Sequence, residues 1–253
     1  KGGHSIQSAK LDDEEDICGD IFLLSNGASI GKILEKSDLG LNIQPVFYGV
    51  GLSLEIKSPG LLQAKCVRTP NRGGACGIYV VPYFNGIDQT DSHIMIGTSN
   101  FLSNEPFHYG RVISISHLMA GAINEINGYL ADAQLVRVNV GWRPVTQDTY
   151  PLLGKTSIDN LVLATGTRRN GFHLSPLIAE MISSIMIGGP VEKKLSIFAP
   201  ERNVMRELSR EEAIKLGVDH LMSQHYQHGY RPSGIQMDAE IRAAFNSDIE
   251  RIH

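Results

Sequence analysis

The chain has 253 residues, 42% of them hydrophobic and 20% charged, and these proportions exclude a disordered or collagen-like protein. Its 23 basic and 27 acidic residues give a net charge of −4, so no positive excess exists to neutralise a nucleic acid backbone. The longest apolar stretch, residues 172–187, is too short for a bilayer span of about 20 residues and contains Glu180, so no membrane span is predicted.

The three cysteines, Cys18, Cys66 and Cys76, are too few for a secreted disulfide scaffold, although the spacing of the last two would allow pairing across a loop. A reduced, cytoplasmic location is therefore expected. The first residue is Lys rather than Met, and no signal-peptide pattern follows. We expect the sequence to enter its fold partway along a longer protein.

The N-terminal region predicts one buried strand and one short helix. The acidic run at 12–16 is expected to be solvated. Four apolar residues then lead into a small-residue turn at Gly27, within the segment 19–28. Such a continuous run is typical of a strand buried on both faces of a parallel sheet. A helix is predicted over Ser29–Lys36.

Residues 45–97 show a different pattern, in which β-branched and aromatic runs are separated by turn residues, and this indicates antiparallel strands. The strands are predicted at Val46–Ile56, Ile78–Tyr83 and His93–Gly97, with turns at 58–60, 71–74 and 85–86. Apolar residues at three- and four-residue spacing then predict an amphipathic helix over 110–129.

A further strand, Leu135–Val140, leads to Gly141-Trp142-Arg143-Pro144, where the proline is expected to end the strand. Arg143 is then either a structural fork that pairs with a carboxylate or a clamp for a ligand. A second buried strand, Leu161–Gly166, ends in a glycine-containing turn. The turn is either a ligand-binding loop of an open α/β sheet or a simple strand-to-helix connection with solvated arginines.

The rest of the chain is predicted to be helical. One helix should begin at Ser175-Pro176 and end at Gly188-Gly189, and 196–253 is charged and helical. The histidines His220, His225 and His228 lack companion carboxylates or thiolates, so no metal site is predicted. His173 lies beside the glycine turn, where it either lines a site or packs. No GxGxxG or GxxxxGK[ST] phosphate loop occurs.

In chain order, these segments resemble the C-terminal part of the FAD-dependent oxidoreductases of the D-amino acid oxidase superfamily, with motifs closest to glycine oxidase and sarcosine oxidase-like enzymes. Residues 141–154 match a G-x-R-P-x-x-x-D-x-x-P-x-x-G signature, and residues 165–176 are similar to the TGHxRNGIxLAP segment of glycine oxidases. Weaker similarities involve the segments 19–28, 43–46, 79–82 and 94–97.

The resemblance implies an α/β (α+β) fold. The C-terminal part of an FAD-binding Rossmann-like domain would be interleaved with a substrate domain of antiparallel or mixed sheet, and the N-terminal dinucleotide-binding half would be absent from this chain. The implied bounds are 1–44 for the end of the FAD-binding domain, 45–140 for the substrate domain, 141–195 for the return to the FAD-binding domain, and 196–253 for a helical extension.

The resemblance also implies the site residues. Arg143 would hold a substrate carboxylate, Arg169 is a second candidate, and Tyr79 and His173 would line the substrate side. The residues implied to contact FAD are Gly27, Gly141, Trp142, Gly166, Thr167, Arg168, Asn170, Gly171 and Phe172. The implied reaction is hydride transfer from a substrate carbon to the flavin, which gives an imine. Thr167 stands where the family most often has histidine, and His173 replaces an aliphatic residue, so the substrate stays open.

The implied partners are a small amine or amino acid substrate and either the N-terminal FAD-binding half of a longer chain or a separate companion subunit. Two alternatives are a non-catalytic assembly subunit that keeps the fold, and an FAD oxidoreductase of the same fold that acts on a peptide-derived or cyclic amine. The retention of Arg143, Arg169 and Tyr79 favours a working site over a decayed one.

Overall fold

A computed structural model describes residues 5–11, 16–58, 64–70, 77–82, 93–190, 193–205, 208–227 and 233–252. Some features discussed above lie outside the described residues. They are the acidic residues 12–15, the turn residues 59–60, 71–74 and 85–86, the strand residue Tyr83, Cys76 and His228.

The described residues form short and long strands and five α-helices. The strands are β1 (Ser8–Ala9), β2 (Ile17–Cys18), β3 (Phe22–Leu24), β4 (Val46–Lys57), β5 (Val67–Arg68), β6 (Tyr79–Pro82), β7 (His93–Gly97), β8 (Phe101–Ser103), β9 (Gln134–Thr146), β10 (Leu152–Lys155) and β11 (Leu161–Thr165). The helices are α1 (Ile30–Ser37), α2 (Val112–Glu125), α3 (Gly171–Met186), α4 (Arg210–Gln227) and α5 (Ile235–Ile252). Short 3₁₀ helices occupy Gly27–Ser29, Gly128–Asp132 and Lys193–Phe198. Among the described helices, none is long and apolar enough to cross a bilayer.

The chain divides into two compact units. Unit 1 comprises residues 1–49, 102–106 and 142–207, and unit 2 comprises 50–101, 107–141 and 208–253. The sequence predicts a boundary between residues 195 and 196. Both of these residues belong to unit 1.

Unit 1 is built on a three-stranded sheet with the order β10-β11-β3. The central strand β11 runs parallel to β3 and antiparallel to β10. Its side chains alternate between two apolar clusters, as the geometry of a strand requires. Val162 packs with Met181, Ile182 and Ile185 of α3, whereas its neighbours in β11 pack with Ile30 of α1.

The prediction of a strand buried on both faces is therefore right for β11 and wrong for β3. Leu23, in the middle of β3, keeps 38% of its surface exposed. Phe22 and Leu24 pack against the cluster around Ile30, and alternation turns Leu23 to the other face. The described part of the chain pairs β3 with β11 alone, so β3 is an edge strand there.

Unit 2 contains the antiparallel strands that the sequence predicts. The larger sheet has the order β5-β6-β7-β4-β8, and β9 also pairs with β4. Ile96 of β7 lies opposite Val80 of β6 on one side and Leu54 of β4 on the other. These three side chains share one face, where they form a core with Leu118 and Ala122 of α2.

Two helices of unit 2, α4 and α5, pack against each other, and they confirm the helical prediction for this part of the chain. Ile214, Val218 and Met222 of α4 form a buried cluster with Phe245 and Ile249 of α5 among the residues packed against it. The exposed side chains of Arg242 and Asp219 join the two helices by an ion pair of 2.6 Å.

Two predicted boundaries were wrong, because Pro144 and Pro176 both lie inside regular elements. Strand β9 continues through Pro144 to Thr146, since proline accepts an extended backbone and the Pro144 carbonyl still accepts a hydrogen bond from the Arg168 N–H at 3.0 Å. Helix α3 begins at Gly171 and contains Pro176. The hydroxyl of Ser175 donates to the Phe172 carbonyl at 2.9 Å, which replaces the bond that Pro176 cannot give. The helix ends before Gly188 as predicted.

Candidate active site

Two glycine turns meet in unit 1 at the carboxyl ends of the parallel strands β3 and β11. Gly27 follows β3 with a φ of 63°, and Gly166 follows β11 with a φ of 77°. Both values lie in the left-handed region that favours glycine. The hydroxyl of Thr165 donates to the Gly27 carbonyl at 3.0 Å and joins the two turns. Ligands of open α/β sheets bind at this edge.

The second turn continues as a loop, Gly166–Asn170, that is seated tightly on its surroundings. A Cβ atom on Gly166 would lie 2.7 Å from the Thr146 methyl carbon and 3.1 Å from the Pro151 Cα, so no larger residue fits there. Arg168 has a φ of 50° and donates its N–H to the Pro144 carbonyl at 3.0 Å. The loop is therefore fastened to the end of β9 and to the turn that follows it.

Helix α3 starts directly after this loop, with Asn170 as its N-cap residue. The first N–H groups of a helix have no partner within the helix, and they carry a partial positive charge. Arg169, Phe172 and His173 are exposed at this end, and Phe172 is fully so. Thr167 lies against Gly171, where a Cβ would be 3.1 Å from the threonine hydroxyl.

Arg143 lies in the same unit, on β9, and is half-buried. Its Nη1 donates to the carbonyl of Gly49 at 3.5 Å. A Cβ on Gly49 would be 2.8 Å from the Val145 Cγ2, so glycine is needed for this close approach of β4 and β9. Next to Arg143, Trp142 meets the ring of Tyr48 edge-on at a centroid distance of 5.8 Å. Gly141 is exposed, with open space around its Cα.

Tyr79 belongs to unit 2, where it lies on β6 opposite Gly97 of β7. A Cβ on Gly97 would be 2.2 Å from the Tyr79 hydroxyl oxygen, so the phenol ring lies directly over this glycine. Gly141 also belongs to unit 2. The other site residues predicted from the sequence lie in unit 1.

The sequence did not predict that one buried carboxylate of unit 1 accepts several hydrogen bonds. Asp148 is buried and pairs with both terminal nitrogens of Arg202, 54 residues away. Burial alone would raise the pKa of Asp148, but hydrogen bonds from Arg202, from the N–H groups of Met205 and Tyr150, and from Gln44 bring that pKa well below its ordinary value. The sequence identifies Asp148 only as a member of the signature of residues 141–154. No local pattern points to Arg202 as its partner.

An apolar cavity of about 330 Å³ lies beside the loop. It is lined by Gly166, Thr167 and Asn170 of the loop region, and by residues of α3, of the turn before β10 and of the 3₁₀ helix Lys193–Phe198.

A parallel strand pair with two glycine turns at its carboxyl end and a helix N-terminus beside them defines unit 1 as an α/β cofactor-binding unit. The chain belongs to the family described as FAD dependent oxidoreductase (DAO), whose model matches residues 3–185.

Individual relatives agree with this membership. The chain is 28% identical over 201 residues to the bifunctional protein ThiO/ThiG of Synechocystis sp. The aligned region covers 79% of this chain and 28% of that protein. It is also 28% identical over 176 residues to the glycine oxidase of Pseudomonas aeruginosa, with coverage of 68% and 43%.

Solved structures show the same fold. The iminodiacetate oxidase of Chelativorans sp. superposes with a TM-score of 0.62 at 22% identity and covers 75% of this chain and 48% of that one. The glycine oxidase of Geobacillus kaustophilus superposes with a TM-score of 0.60 at 21% identity, with coverage of 77% and 47%. The chain thus spans less than half the length of each of these relatives.

FAD is the cofactor of this family, and the residues of unit 1 fit one side of it. Gly27 leaves open space where a Cβ would stand, which gives a planar ring room to approach the backbone. The N-terminus of α3 offers positive charge to an electron-rich ring. The described residues hold no glycine-rich phosphate loop, so the fit concerns the ring end of the cofactor.

Proposed function

We propose that this chain forms the substrate side and the flavin-ring loops of an enzyme that oxidises a C–N bond of a small amino acid or amine. The observation that carries the proposal is the hydrogen bond between Arg168 and Pro144. It joins the Gly166–Asn170 loop to the strand segment that bears Arg143, so a carboxylate-binding arginine and a cofactor loop are held as one piece.

Arg143 is the proposed substrate clamp, because a guanidinium binds a planar carboxylate through two parallel hydrogen bonds. Its contact with the Gly49 carbonyl orients the side chain. Arg169 is a second candidate at the exposed end of the loop. Tyr79 and His173 are proposed to line the substrate side. When bound, FAD supplies the acceptor for the hydride.

The residues proposed to contact FAD surround the two glycine turns and the N-terminus of α3. They are Gly27, Gly141, Trp142, Gly166, Thr167, Arg168, Asn170, Gly171 and Phe172. When FAD is bound, these residues would hold the ring, shield it from water, and stabilise negative charge on it through the helix N-terminus.

A companion is part of the proposal, because the relatives are more than twice as long as the matching region of this chain. Either a preceding FAD-binding half or a separate subunit would supply the phosphate-binding part, in the cytoplasm. An absorbance spectrum from 300 to 550 nm and intact masses of the protein purified from its source test this. A flavin spectrum with a second polypeptide indicates a split enzyme, and a flavin spectrum with one longer chain indicates a single-chain enzyme.

Replacing Arg143 tests the function itself. In the flavin-loaded protein, Arg143→Lys should raise the KM for glycine or another amino acid about 100-fold or more, because one bidentate bond is lost. An exposed arginine in unit 2, Arg251, provides the control Arg251→Lys, which should leave KM unchanged. An unchanged KM in Arg143→Lys contradicts the clamp.

The two alternatives give other results. A colourless source protein that binds no FAD supports a non-catalytic subunit. Turnover of cyclic or peptide-derived amines, with none of free amino acids, supports the second alternative and leaves Arg143 to bind a different anion.

A further inference from the structure

A short segment after α3 holds both ends of strand β10 in unit 1. The segment, Ala199–Met205, lies beyond the residues that match the family model. At one end of β10, Glu201 accepts hydrogen bonds from the N–H of Ser157 and from its hydroxyl, the latter at 3.0 Å. At the other end, Arg202 binds Asp148 in the turn that precedes β10.

The contact of Arg202 is the more extensive of the two. Its Nη2 donates to Asp148 Oδ1 at 3.1 Å and to the carbonyls of Tyr150 and Pro151 at 3.3 and 3.4 Å, and its Nη1 binds Asp148 Oδ2. Asp148 also accepts the N–H groups of Tyr150 and Met205, each at 3.0 Å. One carboxylate and one guanidinium therefore determine the conformation of the turn from Thr146 to Pro151.

This turn is the seat of the Gly166–Asn170 loop. Gly166 lies against Thr146 and Pro151, the first and last residues of the turn, too closely for any side chain. The hydroxyl of Thr146 donates to the Tyr150 carbonyl at 2.7 Å and closes the turn beneath the loop. A displacement of the turn must therefore move Gly166.

We propose that Arg202 is a positioning residue for the Gly166–Asn170 loop and acts on it through Asp148. The inference rests on the proposed function only in that the loop is taken to contact the flavin ring. Its physical content, that one distant arginine sets the conformation of the loop, is independent of the cofactor.

The test is amide hydrogen exchange of the full chain, with Arg202→Lys compared to Glu201→Gln. Lysine keeps the charge and the fold but loses the fork that reaches Asp148, Tyr150 and Pro151 together. Glu201→Gln is the matched control, because it weakens the neighbouring contact at the far end of β10. Samples are compared at equal distances below their melting temperatures.

In Arg202→Lys, we expect the amides of Arg168 and Asn170, bonded to Pro144 and Thr167, to exchange about tenfold faster. Glu201→Gln should leave both within about twofold and instead accelerate the amide of Leu161, which is bonded across the turn between β10 and β11. Equal acceleration at all sites, or an unchanged loop in Arg202→Lys, overturns the proposal.

The cofactor consequence is measured separately on the flavin-loaded protein. The Kd for FAD should rise about tenfold in Arg202→Lys and stay within about twofold in Glu201→Gln. Equal Kd values in the two variants show that the loop does not act on FAD. If the protein purified from its source together with any companion chain binds no FAD, the proposed function is wrong, and hydrogen exchange still decides the role of Arg202.

Discussion

Replacing Asp148 with asparagine should destabilise unit 1 strongly. The side chain of Asp148 has no exposed surface and that of Arg202 only 9%, so the change leaves a buried guanidinium without its counter-charge. Breaking a buried pair in this way costs about 3–5 kcal/mol. Asparagine keeps one acceptor oxygen, which can serve the N–H of Tyr150, bonded to Oδ1, or that of Met205, bonded to Oδ2, but not both, so we expect a loss of about 3 kcal/mol or more. This corresponds to a fall in melting temperature of roughly 10 °C.

Urea unfolding followed by tryptophan fluorescence measures this loss. Trp142 is the single tryptophan of the chain and lies in unit 1, so its signal reports on the unit that contains the pair. The variant Arg202→Met and the double variant complete a cycle with Asp148→Asn. The double variant should lose much less than the sum of the single variants, since either change alone removes the same pair. A loss below about 1 kcal/mol in Asp148→Asn, or strict additivity, would refute this reasoning.

The same ion pair predicts how the free energy of unfolding changes at acidic pH. The pKa of Asp148 in the folded chain lies below its ordinary value of 3.8. A carboxyl group of this kind contributes its stabilisation fully above the ordinary pKa, and the contribution is lost as the pH falls below it. The urea midpoint of the wild-type chain should therefore begin to drop at about pH 4 and continue to fall at lower pH, and that of Asp148→Asn should drop less. Parallel acid limbs in the two proteins would contradict the assignment.

Two further changes test local packing, with the same fluorescence-monitored urea unfolding. Gly49→Ala places a Cβ 2.8 Å from the Val145 Cγ2 and should cost about 1–3 kcal/mol, whereas Gly141→Ala, where nothing lies within 4 Å, should change stability by less than about 0.5 kcal/mol. Equal costs would show that β4 and β9 can separate. Ser175→Ala removes the hydroxyl bonded to the Phe172 carbonyl and should lower the free energy of unfolding by about 1 kcal/mol. Ser175→Thr should restore this stability. An unchanged stability in the alanine variant would mean that water satisfies this carbonyl.

Most of the secondary structure follows from local patterns. The runs that became β4, β7 and β11 carry their signals in consecutive residues, because a strand buried on one or both faces needs apolar side chains at fixed intervals. The helix α2 was likewise predictable from apolar residues at three- and four-residue spacing. The position of the Gly166–Asn170 loop was predictable for the same reason, since a buried strand that ends in glycine before a helix is a local pattern.

The errors arise where one residue type allows two structures. Ser175-Pro176 is the usual start of a helix, yet a serine hydroxyl can also satisfy the carbonyl that an internal proline leaves open, and only the observed bond to Phe172 distinguishes the two. Pro144 is similar, because its extended backbone is compatible with a strand whenever its missing N–H is not needed.

The two arginines of this site illustrate what local patterns leave undecided. For Arg143, the sequence left open a fork on a carboxylate or a clamp for a ligand. The carboxylate of its own signature, Asp148, is buried and engaged by both terminal nitrogens of Arg202. The guanidinium that pairs with the carboxylate of this motif is that of Arg202, which the sequence did not single out because it lies 54 residues from Asp148. Arg143 is half-buried and contacts the Gly49 carbonyl, and its role as a clamp for a substrate carboxylate stays a prediction that the Arg143→Lys variant tests.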